Sequence, residues 1–167
     1  MHICVTHVDA KTGIPCTEAP MSHGPAFPDV KGLVIKWGNE SQWPTNYPLY
    51  YGECDDDADV TIPGVIKVLT AEAYQYLWEQ DQNASIQKAL DNFAIIRGYS
   101  GIVSLCTYAT SSNEQYKSEA QYGVDKRDET WAAIYQIIDD VKSGARPIFM
   151  GYSSIINELP SLEWSTQ

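Results

Sequence analysis

The sequence predicts an α+β fold: a small antiparallel β-rich N-terminal part, residues 1–69, then a helical hairpin-like C-terminal part, residues 70–167. Three observations predict it. Seven of the nine prolines lie before Leu69 and, with several glycines, rule out long helices there. The same stretch holds short apolar, β-branched runs of strand length. After Leu69 the chain lacks proline until Pro147, and its apolar residues recur at three- and four-residue steps.

In the first part, Ile3–Val8 reads as a strand and Asp9-Ala10-Lys11-Thr12-Gly13 as a turn. Pro20 to Pro28 reads as an extended, irregular connection. Lys31–Trp37 is a second strand, closed by Gly38-Asn39. Leu49–Gly52 and Val65–Leu69 are further short strands.

At Thr70 the period changes. Thr70 supplies a hydroxyl cap for a helix running to about Gln80. Ser85 starts a second helix, with Ile86, Leu90, Phe93 and Ile96 or Arg97 on one side, and Gly98 stops it. A third, shorter helix covers Ser100–Ala109. The fourth runs from Asn113 to Ser143, with Tyr116, Ala120, Val124, Arg127, Trp131, Ile134, Ile138 and Val141 on one stripe. Glu114 and Glu119 near its start and Lys142 at its end suit the helix dipole. Gly144 and Pro147 end it. Ser153 or Ser154 caps a last short helix to Leu159, stopped by Pro160.

The net charge is −11, from 11 basic and 22 acidic residues. Phosphate-binding surfaces need clustered Lys and Arg, so nucleic acid is not an expected partner. No apolar stretch approaches the roughly 18 residues that span a bilayer, and no basic-then-apolar leader opens the chain. A cytosolic origin is the expectation. Cys4, Cys16, Cys54 and Cys106 then read as reduced thiols.

The chemistry-bearing clusters are thin. Asp55, Asp57 and Asp59 have the first spacings of a calcium loop, but Val60 stands where glycine is needed and Ile66 where a bidentate Glu belongs. A solvated acidic turn is the favoured reading. His2 and Cys4 share a strand face while His7 points to the other, so a zinc site would need Cys16, Cys54 or His23 to complete it. Cys106 sits in an apolar helix without a histidine nearby, and core packing outweighs a nucleophilic role. No phosphate loop, dinucleotide fingerprint or nucleophile elbow occurs. The expectation is a non-enzyme without metal or cofactor.

Residues Ile86 to Trp164 resemble the C-terminal region of small tail-fibre accessory proteins of tailed bacteriophages. Arg97-Gly98-Tyr99-Ser100-Gly101-Ile102 carries the resemblance first. Ser104 through Tyr108-Ala109, Glu119-Ala120, Lys126-Arg127-Asp128 with Trp131, and Glu158-Leu159-Pro160 with Trp164 follow in order. Lys126 departs from the family pattern, which has Trp before the arginine. Asp9 to Gly13 and Trp43-Pro44 look loosely like other tail accessory sequences. The resemblance implies a role in folding, trimerisation or attachment of the tail fibre. A tail-fibre or baseplate protein is then the partner, in the host cytoplasm during assembly or in the virion tail. Self-association is compatible with that reading. The alternative from another class is an acidic phage inhibitor of a host defence protein.

A partner surface is expected on the helical part: Tyr116, Tyr122, Arg127, Trp131 and Tyr135, with Leu159 and Trp164 from the final segment. The long helix would span about 45 Å, and its shorter neighbours cannot cover the whole stripe. Partly exposed Tyr and Trp have the make-up of binding hot spots. Arg127 reads either as a stem covering the core with its head in water, or as an ion pair with Glu119 or an acid on another helix.

Overall fold

The structure, a computed structural model, describes residues 1–19, 21–39, 49–149 and 151–164. Trp43-Pro44 and Pro20 lie outside the described residues. The fold is α+β as expected, with an antiparallel sheet in the N-terminal part and helices after it. The chain forms two compact units, Met1–Glu79 and Gln80–Gln167.

The first unit is built on a four-stranded antiparallel sheet. Its strands are β1 (His2–Thr6), β4 (Val34–Asn39), β5 (Leu49–Glu53) and β6 (Val65–Leu69), in the spatial order β4-β5-β1-β6. Central β1 is buried on both faces, which accounts for the unbroken apolar run at Ile3, Cys4 and Val5. Side chains alternate across a strand. Ile3 and Val5 pack with Val30 and Cys54 on one face. On the other, Trp37 stacks on Tyr51 at 4.9 Å and meets the edge of Tyr74, which lies on the helix that follows β6. The glycine of β5 is required by close approach: a Cβ at Gly52 would stand 2.5 Å from the Val34 carbonyl oxygen.

Three expectations change here. The first strand stops at Thr6, and Val8–Asp9 (β2) pairs instead with Pro25–Ala26 (β3), so part of the proline-rich connection is itself strand. Lys31 and Gly32 form a turn, and β4 starts only at Val34. Gly38 and Asn39 extend that strand rather than close it, because both continue the pairing with β5.

The Asp9–Gly13 turn forms, and Asp9 is its centre. This carboxylate is 3% exposed. It accepts backbone N–H bonds from Lys11 and Thr12 at 3.0 Å, from Ser22 at 2.7 Å and from His23 at 3.0 Å. The Ser22 hydroxyl and His23 Nδ1 add contacts at 3.2 and 3.1 Å. These bonds, the Thr12 amide foremost, hold the Asp9 carboxyl far below the usual carboxylate range.

One helix, α1 (Ala71–Ile95), replaces the two expected between Thr70 and Gly98. Thr70 does cap it, its hydroxyl accepting from the Ala73 amide at 3.2 Å. The polar run from Asp81 to Ser85 reads as a break but contains neither Gly nor Pro. Within the second unit its side chains have another use. Gln82 Oε1 accepts from the Gly151 amide at 2.7 Å, and Ser85 Oγ accepts from the Tyr152 amide at 3.1 Å. Ser85 therefore caps another helix, α4 (Tyr152–Ile155), rather than its own. Gly151, at φ +73°, occupies the N-cap position of α4, and the Ser154 hydroxyl bonds back to the Gly151 carbonyl, so neither Ser153 nor Ser154 is the cap.

The remaining helices of the second unit are α2 (Ile102–Cys106), extended by a 3₁₀ turn at Thr107–Thr110, and α3 (Glu114–Lys142). Asp91 of α1 accepts the first α2 amide, that of Ile102, at 2.9 Å. Asn113 caps α3, its side chain accepting from the Gln115 and Tyr116 amides. The buried face of α3 is Ala120, Gly123, Thr130, Ile134, Ile137 and Ile138. The predicted stripe is thus turned: Tyr116 is exposed and Trp131 only half-buried. Close helix packing sets the rotation. A Cβ at Gly123 would lie 2.4 Å from Leu105 Cδ2 of α2, so the small side of α3 faces α2.

Candidate functional site

The last turn of an α-helix leaves carbonyls without intrahelical donors. At the end of α1, the amides of Ile96, Arg97, Gly98 and Tyr99 return to the carbonyls of Asn92, Ala94, Ile95 and Ala94. Gly98 makes this reversal at φ +88°, a left-handed conformation that favours glycine. The Phe93 carbonyl is filled from elsewhere: the Trp164 indole N–H donates to it at 2.8 Å.

Trp164 closes a strap of irregular backbone, residues 160–164, that follows a 3₁₀ turn at Ile156–Glu158. Its ring lies parallel to Phe93, 4° between planes and 4.4 Å between centroids. The Arg97 guanidinium sits over the same indole at 5.0 Å, and Tyr122 packs against it at 5.5 Å. The Tyr122 hydroxyl donates to the Glu163 carbonyl at 2.7 Å. Leu159, just before the strap, is 8% exposed.

Beside this strap, Tyr99 donates its hydroxyl proton to Glu119 Oε2 at 2.7 Å, and Gln115 Nε2 donates to Oε1 at 3.1 Å. The Tyr99 bond, more than any other group, lowers the Glu119 carboxyl. Burial first, and the hydrogen bond to Glu119 second, push Tyr99 up to about 12. Tyr99, Tyr108 and Tyr116 then form an edge-to-face series, at 5.6 and 5.7 Å, ending on the exposed Tyr116.

The seven residues expected at a partner surface divide in three. Tyr122 and Trp164 are brought together, but they satisfy each other, Phe93 and the Glu163 carbonyl within the unit, and Leu159 is buried. Trp131 and Tyr135 stack on each other at 5.6 Å, with Tyr135 57% exposed, and Tyr116 stands at the end of the tyrosine series. Among the described residues, Arg127 pairs with neither Glu119 nor an acid on another helix: it pairs with the adjacent Asp128, at 2.8 Å. It also reaches the Cys106 thiol, which burial nevertheless pushes up.

The acidic run is spent on separate partners. Asp56 holds the Met1 ammonium, Asp57 and Asp55 take Lys31, and Asp59 caps Thr61. His2 stacks on Tyr74 at 4.2 Å, whereas His7 lies between Phe27 and Tyr50. Among the described residues, no three His, Cys, Asp or Glu side chains group to hold a metal ion. Cys4, Cys16, Cys54 and Cys106 are free thiols. No described helix is long and apolar enough to cross a membrane.

Residue reading missed Phe93 as the floor of the strap and Gln82 as a cap. It also missed Asp9 as a polar centre, although an aspartate opening a turn has a known taste for backbone amides two and three residues on. No family model, no curated protein and no solved structure matches the chain.

Proposed function

We propose that this chain is a non-enzymatic bacteriophage tail-associated protein that assists assembly of the tail fibre, or stays attached to it, as a chaperone or adaptor. The supporting observation is the convergence of residues that carry the sequence resemblance. Arg97, Tyr99, Glu119 and Trp164 come from positions far apart in the chain, and they meet at the end of α1. In this reading the chain meets a fibre or baseplate protein through its helical unit, in the host cytoplasm during assembly and in the virion tail if it remains bound. Exposed Tyr116 and Tyr135 supply apolar contact with a polar edge. A net charge of −11 keeps the free protein soluble until the partner is made.

Co-expression with a tail-fibre protein from the same genome tests this reading. The expected result is a complex that survives gel filtration, or a fibre that trimerises only when the chain is present. A fibre that trimerises equally well alone, with no complex recovered, ends it.

A further inference from the structure

The strap runs between two surface clefts and forms a wall of each. On one side lies a mainly apolar groove floored by Phe93, Ile96 and Ile156, with strap residues Ser161, Leu162 and Glu163 along its edge. On the other lies a polar cleft lined by Arg97, Gln115, Glu119 and Tyr122, with Trp164 at its edge. Withdrawal of residues 161–164 would join the two into one trough. Phe93, now 2% exposed, would then form its floor beside Ile96, already 74% exposed.

The strap is held chiefly through its indole, which stacks on Phe93, lies under Arg97 and packs on Tyr122. Among the described residues, its hydrogen bonds are the Trp164 indole to the Phe93 carbonyl and the Tyr122 hydroxyl to the Glu163 carbonyl. The receptor atoms are all supplied by helices or by the turn that ends α1. We propose that this trough is a peptide-docking site in which residues 161–164 are the resident ligand. An extended, tryptophan-bearing segment of a protein partner takes their place. The strap displays the chemistry required of the newcomer: an indole for the Phe93–Arg97 slot, an N–H for the Phe93 carbonyl, and a preceding main-chain carbonyl for Tyr122. The proposal rests on the reading of the chain as a protein-binding module and names where that binding occurs.

A tethered ligand competes at high effective concentration, so a free peptide should meet a mostly closed site in the wild-type chain. The test uses the full-length protein and an acetylated peptide of residues 159–164, Leu-Pro-Ser-Leu-Glu-Trp, followed by calorimetry. Trp164→Ala should bind the peptide at least about tenfold more tightly than wild type. The same peptide with alanine for its tryptophan should bind neither. A Trp164→Ala chain that melts cooperatively yet binds no peptide, or equal binding by both chains, overturns the proposal. If Trp164→Ala does not fold, Trp164→Phe keeps the stack and removes the indole donor. A folded Trp164→Phe that binds no better than wild type overturns it as well. So does a wild-type dimer that Trp164→Ala turns into a monomer, since the occupant is then a second copy. None of these measurements involves the fibre, so their failure and the failure of the fibre reading are separate results.

Discussion

Each unit joins distant segments through one residue, by opposite means. In the first, Asp9 gathers the backbone of residues 11–12 and 22–23 around a buried carboxylate. In the second, Trp164 ties the strap to the end of α1 by ring stacking and a single N–H bond. The carboxylate accepts from several backbone amides at once, and it binds them most strongly while ionised. Its removal leaves several donors unpaired together. The indole works mostly by contact area, and another aromatic group can fill the same space. A polar centre of the first kind is a fixture. An aromatic anchor of the second kind can be exchanged, which is why the docking site is proposed beneath the strap.

The largest effect should come from emptying the floor of the aromatic anchor. Phe93 is 2% exposed, and truncation of such a side chain costs about 3–5 kcal/mol. Thermal or urea melting of Phe93→Ala should show that loss. A loss below about 1 kcal/mol would mean that the strap and its floor contribute little to the fold, and the comparison would break on the helical side.

Asp9 comes next, and pH reveals it. Its folded carboxyl titrates far below the ordinary value of about 3.9. A depressed acid contributes stability that is fully present above the unfolded value and disappears as pH falls through the folded one. Wild-type melting temperature should therefore drop as pH is lowered from about 5 to 2, and Asp9→Asn should remove much of that slope while melting lower at neutral pH. An unchanged acid slope in Asp9→Asn would show that other carboxylates govern acid unfolding.

The close approach of α2 and α3 gives a smaller effect. Gly123→Val adds bulk where even a Cβ meets Leu105 at 2.4 Å, and overpacking of this kind costs about 1–3 kcal/mol. Leu105→Ala in the same chain should recover part of it, because the two sites share one space. Strict additivity of the two changes would place the strain elsewhere.

What was legible in the sequence follows from the range of each interaction. Proline density and the step of the apolar residues are local, and they located the strands before Leu69 and the long helix, expected over Asn113–Ser143 and found over Glu114–Lys142. The α1 error has a non-local cause. Ser85 looks like the cap of a new helix, but Gly151 and Tyr152, nearly seventy residues away, use Gln82 and Ser85 as acceptors. The α3 stripe was turned for a similar reason. Ala120 and Gly123 look weakly apolar beside Tyr116 and Trp131, yet the approach of Leu105 buries the small residues and leaves the large ones at the margin. At the site, aromatic content singled out Tyr122 and Trp164. It did not show that Tyr122 and Trp164 are already occupied with each other, because that depends on where residues 160–164 lie.

Tyr122→Phe should have the smallest effect, and it separates the two parts of the anchor. The substitution keeps the ring that packs on Trp164 at 5.5 Å and removes only the donor to the Glu163 carbonyl. A single neutral hydrogen bond contributes about 0.5–1.5 kcal/mol net. The Glu163 carbonyl is near solvent, where water can replace the lost donor, so the lower end of that range is expected. The melting temperature should move slightly, while exchange of the Trp164 indole N–H should speed by more than that of the α3 amides. This pattern would show a strap held by a weak bond at its backbone and a strong contact at its indole, which is what a releasable segment requires. If Tyr122→Phe instead destabilises the protein as much as Phe93→Ala, the strap is part of the cooperative core. It would then be as fixed as the Asp9 centre, and the difference between the two units would disappear.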